Sequence, residues 1–206
     1  MRYIMLAILL NSCISVGQLK DNESRVWEPP ANSYKNLKKA YFASGCFWCV
    51  EAVFESVKGV YEVYSGYSGG YLKNPTYNQI GTGRTGHAEA IYLEFDKNNI
   101  SLDKLLLIFF QTHDPTQLNR QGNDFGTQYR SAIFYTDIKQ KKITENIIKK
   151  LSESIYKNKE IVTKIELAKD FFEAEKEHIN YYDLNSNQPY CQVVINPKIQ
   201  KLKSLI

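Results

Sequence analysis

A cysteine set between glycine and two aromatic side chains, in Gly45-Cys46-Phe47-Trp48-Cys49, carries the sharpest chemical signal in the chain. Cys46, Cys49, Val50, Val53, Phe54 and Val57 recur at helical spacing, which puts Cys46 in the first turn of a helix. Unpaired N–H groups and the positive end of the helix dipole favour a thiolate there. Cys49 lies one turn on, so both sulfurs share one side. Such a pair suits nucleophilic thiol chemistry or a thioredoxin-like redox couple. Two small core residues of a buried helix would give the same spacing. Structural zinc needs a second cysteine pair that the sequence lacks. His87, His113 and His178 are scattered, so no metal site is expected.

A second group able to do chemistry is Glu89, in Gly86-His87-Ala88-Glu89. Alternation along Ala88–Phe95 puts it on the same strand face as Ile91 and Leu93. A carboxyl on an apolar face is held neutral by desolvation, which makes it a candidate general acid. An ion-paired edge carboxylate is the plainer alternative. Two loops, Asn74-Pro75-Thr76-Tyr77 and Gly122–Arg130, present tyrosines, although in a chain with 15 of them any single one is more simply packing. Gly81-Thr82-Gly83-Arg84-Thr85-Gly86 matches a dinucleotide-loop pattern, but a strand follows where that motif needs a helix, so a tight loop is expected.

The elements that must position these groups follow from periodicity. Strands are expected at Lys39–Ala43, Val60–Tyr67, Ala88–Phe95, Arg130–Thr136, Thr163–Leu167 and Gln192–Ile195. Helices are expected from Cys46 to Val57, Ser101 to Thr112, Asp137 to about Tyr156 and Glu173 to Tyr182, with Gly59 closing the first. The Lys-rich side of the long helix reads as a solvated face. Helices and strands mix without strict βαβ alternation, which indicates an α+β fold, a sheet with packed helices and an irregular C-terminal stretch.

The 206 residues suit one domain, and 43% hydrophobic with 13% aromatic residues supports a sizeable core. A formal charge of +4 is only mildly basic and argues against a dedicated nucleic-acid binder. Four cysteines are too few for a disulfide scaffold. Residues 1–12 carry a short basic start and an apolar run, as in a secretory signal. Leu10-Asn11-Ser12-Cys13 resembles a bacterial lipobox, which would make Cys13 the lipidated first residue of an extracytoplasmic, membrane-anchored protein. Residues 13–38 read as a tether and extension, ahead of a catalytic domain at 39–206. A monomer is expected.

Taken together, Gly45-Cys46-Phe47-Trp48, Gly86-His87-Ala88-Glu89, Gln121-Gly122-Asn123-Asp124 and Gly126-Thr127-Gln128-Tyr129-Arg130-Ser131 resemble the A-type peptide methionine sulfoxide reductases, from about Lys38 to the end. The resemblance implies an α+β sandwich with a ferredoxin-like βαβ core. It implies reduction of methionine S-sulfoxide, free or in oxidised proteins. By motif, Cys46 matches the nucleophile and Glu89 the acid at the sulfoxide oxygen. Tyr77 and Tyr129 match the oxygen-binding tyrosines, and Asp124 the supporting carboxylate. Phe47 and Trp48 match the methyl pocket. A sulfenic acid left on Cys46 needs a resolving thiol. Cys191, in Gln188-Pro189-Tyr190-Cys191, matches a C-terminal resolver on a tail expected to swing in. Cys191 is the expected resolver; Cys49, where the commoner pattern has glycine, is then core or a secondary resolver. No cofactor is implied; a thioredoxin-like donor or a small dithiol would supply electrons. A general CxxC thiol–disulfide oxidoreductase is the rival reading, and it leaves Glu89 without a task.

Overall fold

The computed structural model describes residues 37–205. The expected signal segment 1–12, Cys13 and the tether up to residue 36 lie outside the described residues. No helix among the described residues is long and apolar enough to cross a membrane.

Six strands form one sheet in the order β7-β6-β1-β3-β2-β8. They are β1 (Lys38–Ser44), β2 (Val60–Ser68), β3 (Ala88–Phe95), β6 (Ser131–Tyr135), β7 (Lys164–Leu167) and β8 (Phe171–Glu173). All neighbours are antiparallel except β6 and β7. β1 and β2 flank β3, and the nine-residue helix α1 (Phe47–Glu55) crosses between them. The central order β6-β1-β3-β2 is that of a ferredoxin-like core, as the resemblance implied. A two-residue pairing, β4 (Arg120–Gln121) with β5 (Asp124–Phe125), closes a separate small hairpin.

Strand periodicity sorts the core into two faces. Ile91, Leu93 and Phe95 of β3 join Phe42, Phe47, Phe54 and Phe109 under the helices. Ala88, Ala90 and Tyr92 point the other way, onto Phe134 and Phe171. Each fully buried aromatic ring stabilises the fold by ~2–3 kcal/mol. Helix α3 (Leu102–Thr112) starts at Ser101, whose side chain accepts the Lys104 N–H, and α4 (Ile138–Glu153) starts at Asp137 in the same way.

Three expectations need correction. Glu173–Tyr182 is not one helix. Glu173 pairs with Gly66 in the sheet, Lys176–His178 make a single 3-10 turn, and Asn180 takes a left-handed conformation (φ 51°) that no helix can run through. Only α5 (Tyr181–Asn185) is helical beyond it. Gln192–Ile195 is not a strand, and the C-terminal stretch is not irregular. Cys191–Ile195 form a π-turn that continues into α6 (Asn196–Lys203), burying Cys191, Ile195, Ile199 and Leu202 at helical spacing. A short helix α2 (Tyr77–Gly81) also stands where only a loop was expected. Thr76 and Gln79 close a reciprocal capping box at its start.

Candidate active site

Cys46 is the N-cap of α1, two residues past the end of β1, an inner strand of the sheet. Gly45 delivers it with φ +89°, and a Cβ there would come within 2.6 Å of Gln121 Cβ, so this position requires glycine. The sheet supplies the facing acid. Glu89 pairs with Tyr67 across β3 and β2, is 1% exposed, and accepts the Phe47 N–H at 3.0 Å. Burial pushes its carboxyl up to about 8, with the nearby Asp124 and Cys49 charges adding to the effect and the Phe47 N–H opposing it. At neutral pH Glu89 therefore holds a proton.

Burial of the sulfur corrects the expected thiolate. The first N–H of α1 goes to Glu89, and Cys46 makes no side-chain cap bond. Burial pushes the Cys46 thiol well up, and its hydrogen bond to Cys49 and the charge of Glu89 push the same way. Cys49 receives that hydrogen bond and is drawn down to about 7. Within this pair the Cys46 thiol is shifted up and the Cys49 thiol down.

Tyr77 opens α2, and Tyr129 ends the 3-10 turn Thr127–Tyr129. Their hydroxyls influence each other, and both feel the charges of Glu89, Cys46 and Asp124. Burial lifts Tyr77 to about 12 and Tyr129 higher, so both remain proton donors. Phe47 is fully buried beneath Tyr77, its ring 6.2 Å away at 21°. Trp48 is half-buried and stacks flat on Tyr181 at 3.6 Å. Phe47 thus forms a floor and Trp48 a wall. All the residues singled out around Cys46 converge except Cys191, which is wholly buried in the π-turn and feels the charge of Cys49.

Two participants escaped the sequence reading. Tyr190 donates its hydroxyl to Asp124 Oδ2 at 3.0 Å and stands 3.7 Å from Cys49 Sγ. Its place beside Cys191 was the available signal. Glu175 accepts the Tyr67 hydroxyl at 2.7 Å and the Tyr77 N–H at 2.8 Å, which pins α2 over the site. Nothing in the sequence around it marks that role. Among the described residues no group of His, Cys, Asp or Glu could hold a metal ion.

A thiol pair beside a protonated carboxyl and two phenols can reduce a bound oxo group, because the oxygen is protonated while sulfur attacks. The site and the ferredoxin-like core thus define a thiol-dependent oxidoreductase. A family model described as peptide methionine sulfoxide reductase matches residues 38–205. The peptide methionine sulfoxide reductase MsrA of Nautilia profundicola is 51% identical over 165 residues, 80% of this chain and 94% of that protein. The enzyme of that name from Saccharolobus solfataricus is 48% identical, covering 82% and 94%. Yeast Mxr1 in reduced form superposes with a TM-score of 0.72 at 32% identity, over 77% of this chain and 91% of that one. Methionine sulfoxide reductase A of Corynebacterium diphtheriae gives 0.66 at 34%, over 74% and 77%. Mxr1 has also been solved in complex with Trx2. The chain belongs to the peptide methionine sulfoxide reductase family and reduces methionine sulfoxide.

Proposed function

We propose that this enzyme reduces the S epimer of methionine sulfoxide, free or in oxidised proteins, through Cys46. Glu89 gives its proton to the sulfoxide oxygen, held by Tyr77 and Tyr129, and takes up the Cys46 thiol proton as that sulfur attacks the sulfoxide sulfur. Asp124 and Tyr190 hold the thiol side of the site. Trp48 over the Phe47 floor takes the apolar methyl group, so oxygen donors on one side and rings on the other distinguish the two hands at sulfur. The step leaves methionine and a Cys46 sulfenic acid. A second thiol then closes a disulfide on Cys46 and releases the oxygen as water. Cys49 lies one helical turn from Cys46, its N–H bonded to Cys46 O at 3.1 Å, whereas Cys191 would have to leave its buried π-turn to reach it. Cys49 is therefore proposed as the first resolver. Cys191, next to Cys49, then passes the disulfide outward to a thioredoxin-like donor, in keeping with the Trx2 complex of yeast Mxr1. No prosthetic group takes part.

The observation that carries this reading is the buried Glu89 bonded to the residue after Cys46. The test is reduction of racemic methionine sulfoxide with dithiothreitol, epimers separated chirally, alongside Cys46→Ser. Consumption of one epimer by the native enzyme alone supports it, and no consumption by folded, reduced enzyme sinks it.

The lipoprotein reading is likewise proposed: a signal at 1–12, acylated Cys13, a tether to residue 38 and the catalytic domain from 39, acting as a monomer in a bacterial envelope. Its support is the apolar run ending in Cys13. Intact mass of the membrane-extracted protein decides it: a chain retaining Met1, or Cys13 without acyl mass, would refute the anchor.

A further inference from the structure

The glycine-rich loop 81–86, unused by the catalytic chemistry, borders a cavity of about 400 Å³ lined by Arg84, Arg130, Lys164 and Glu166 among others. Three cations face one anion there. Arg130 is almost wholly buried (6% exposed), and its guanidinium is fixed by donation from Nη1 to Thr127 O and from Nη2 to Gly86 O, both at 3.1 Å. Its Nε has no acceptor among the described residues, and Glu166 stands off at 4.0 Å. The backbone is shaped around this group: a Cβ on Gly69 would come within 2.8 Å of Arg130 Nη2. Such an under-compensated, half-enclosed positive site favours a small anion.

The cavity's walls tie it to the reaction. Gly83 and Arg84 follow directly on α2, which begins with Tyr77, and Thr127 opens the turn that ends with Tyr129. Thr127 Oγ1 donates to Gly83 O at 3.0 Å and locks the two loops together. The cavity and the oxygen-binding tyrosines are therefore two sides of one loop pair, on the order of 10 Å apart by the length of α2. We propose that this cavity is a subsite for the carboxylate of an acidic residue in the oxidised polypeptide, about three to five extended residues from the methionine sulfoxide. The inference rests on the reading above that oxidised polypeptides are substrates. Glu166 inside the cavity leaves room for a singly charged carboxylate and disfavours a phosphate dianion.

Two peptides, one with Asp and one with Ala four residues from the methionine sulfoxide, test it by kcat/KM at low salt. Arg84→Glu, Lys164→Glu and the double variant are assayed in parallel, and free methionine sulfoxide serves as the control. The acidic peptide is expected to lead by about three- to fivefold in the native enzyme. Each reversal abolishes the lead, the double variant inverts it, salt screens it, and turnover of free methionine sulfoxide stays unchanged. Equal kcat/KM for both peptides, or a preference that survives charge reversal, overturns the subsite. Phosphate competing well below the concentration at which acetate competes overturns the carboxylate assignment. Failure of the native enzyme on free methionine sulfoxide would instead strike the reductase reading. In that event fluorescence anisotropy with labelled, unoxidised versions of the two peptides decides the subsite on its own, by the presence or absence of the same charge-dependent preference.

Discussion

Glu89 accepts the Phe47 N–H at 3.0 Å across 42 residues of sequence. One hydrogen bond thereby does two things. It caps the start of α1 with a carboxyl from β3, and it holds the acid one residue from the attacking sulfur.

The pH profile should report that carboxyl. Glu89 is raised to about 8 by burial, so its proton is present below that value and lost above it. Turnover, kcat/KM on methionine sulfoxide, should fall as pH rises through about 8. Glu89→Gln keeps an acceptor for the Phe47 N–H but has no acidic proton. It should lower kcat/KM by about 10²–10⁴ and remove that alkaline limb. A Gln variant showing the same limb would assign it to another group.

The thiols should separate by trapping. Cys46→Ser abolishes all turnover. In Cys49→Ser one equivalent of methionine still forms in a single turnover, and a sulfenic acid on Cys46 becomes available to dimedone. In Cys191→Ser the first disulfide still closes, and only turnover with thioredoxin slows. Sulfenic acid accumulating in Cys191→Ser but not in Cys49→Ser would reverse the proposed order.

Tyr190 acts through Cys49 and Asp124. Its hydrogen bond helps hold Cys49 down at about 7, so Tyr190→Phe should raise the Cys49 titration, read by thiolate ultraviolet absorbance. Closure of the first disulfide near neutral pH should slow, while single-turnover methionine formation keeps most of its rate. A purely structural role would instead lower stability and leave the thiolate titration in place.

Much of this was legible in the sequence because local pattern and tertiary fold agree. Residues 46–57 carry a clean helical stripe, and β3 alternates between two cores, so α1 and β3 followed from spacing, while the meeting of Cys46 and Glu89 followed from the resemblance of their motifs. The rest depended on contacts that spacing does not encode. Glu173–Tyr182 has helical composition, but pairing of Glu173 with Gly66 and the left-handed Asn180 override it. The C-terminal stretch was read as irregular although Cys191, Ile195, Ile199 and Leu202 recur at helical spacing, a signal obscured by the β-branched run Val193–Ile195. A helix start favours a thiolate at Cys46, but burial of the sulfur outweighs that and raises the thiol. Glu175 acts through Tyr67 and Tyr77, about 100 residues away, which no short pattern reveals.

Stability should peak on the acid side of neutrality. Glu89 is raised to about 8, and Glu51, 1% exposed on α1, is raised by burial to about 7. In the unfolded chain both titrate near ~4.3. Between pH 8 and about 5 the native state therefore binds protons that the unfolded chain does not, and acidification stabilises it. His113 opposes this. Its ring nitrogens are 2.6 Å from Phe109 O and 2.9 Å from Ser131 Oγ, and burial lowers it to about 3. Below about 6.5 the unfolded chain takes up a proton that native His113 refuses, so its contribution is lost as pH falls from there toward 3. Two carboxyl protons outweigh one histidine proton, so below about pH 6.5 the rise continues at about half its slope. Urea unfolding from pH 4 to 9 measures it. Unfolding free energy should rise from pH 8 to 6, and Glu51→Gln should flatten that rise by up to ~1.4 kcal/mol per pH unit. A free energy that is level or falls on acidification from pH 8 to 6 would show that the two buried carboxyls are ionised in the native state, and Glu89 could then not serve as the proton donor.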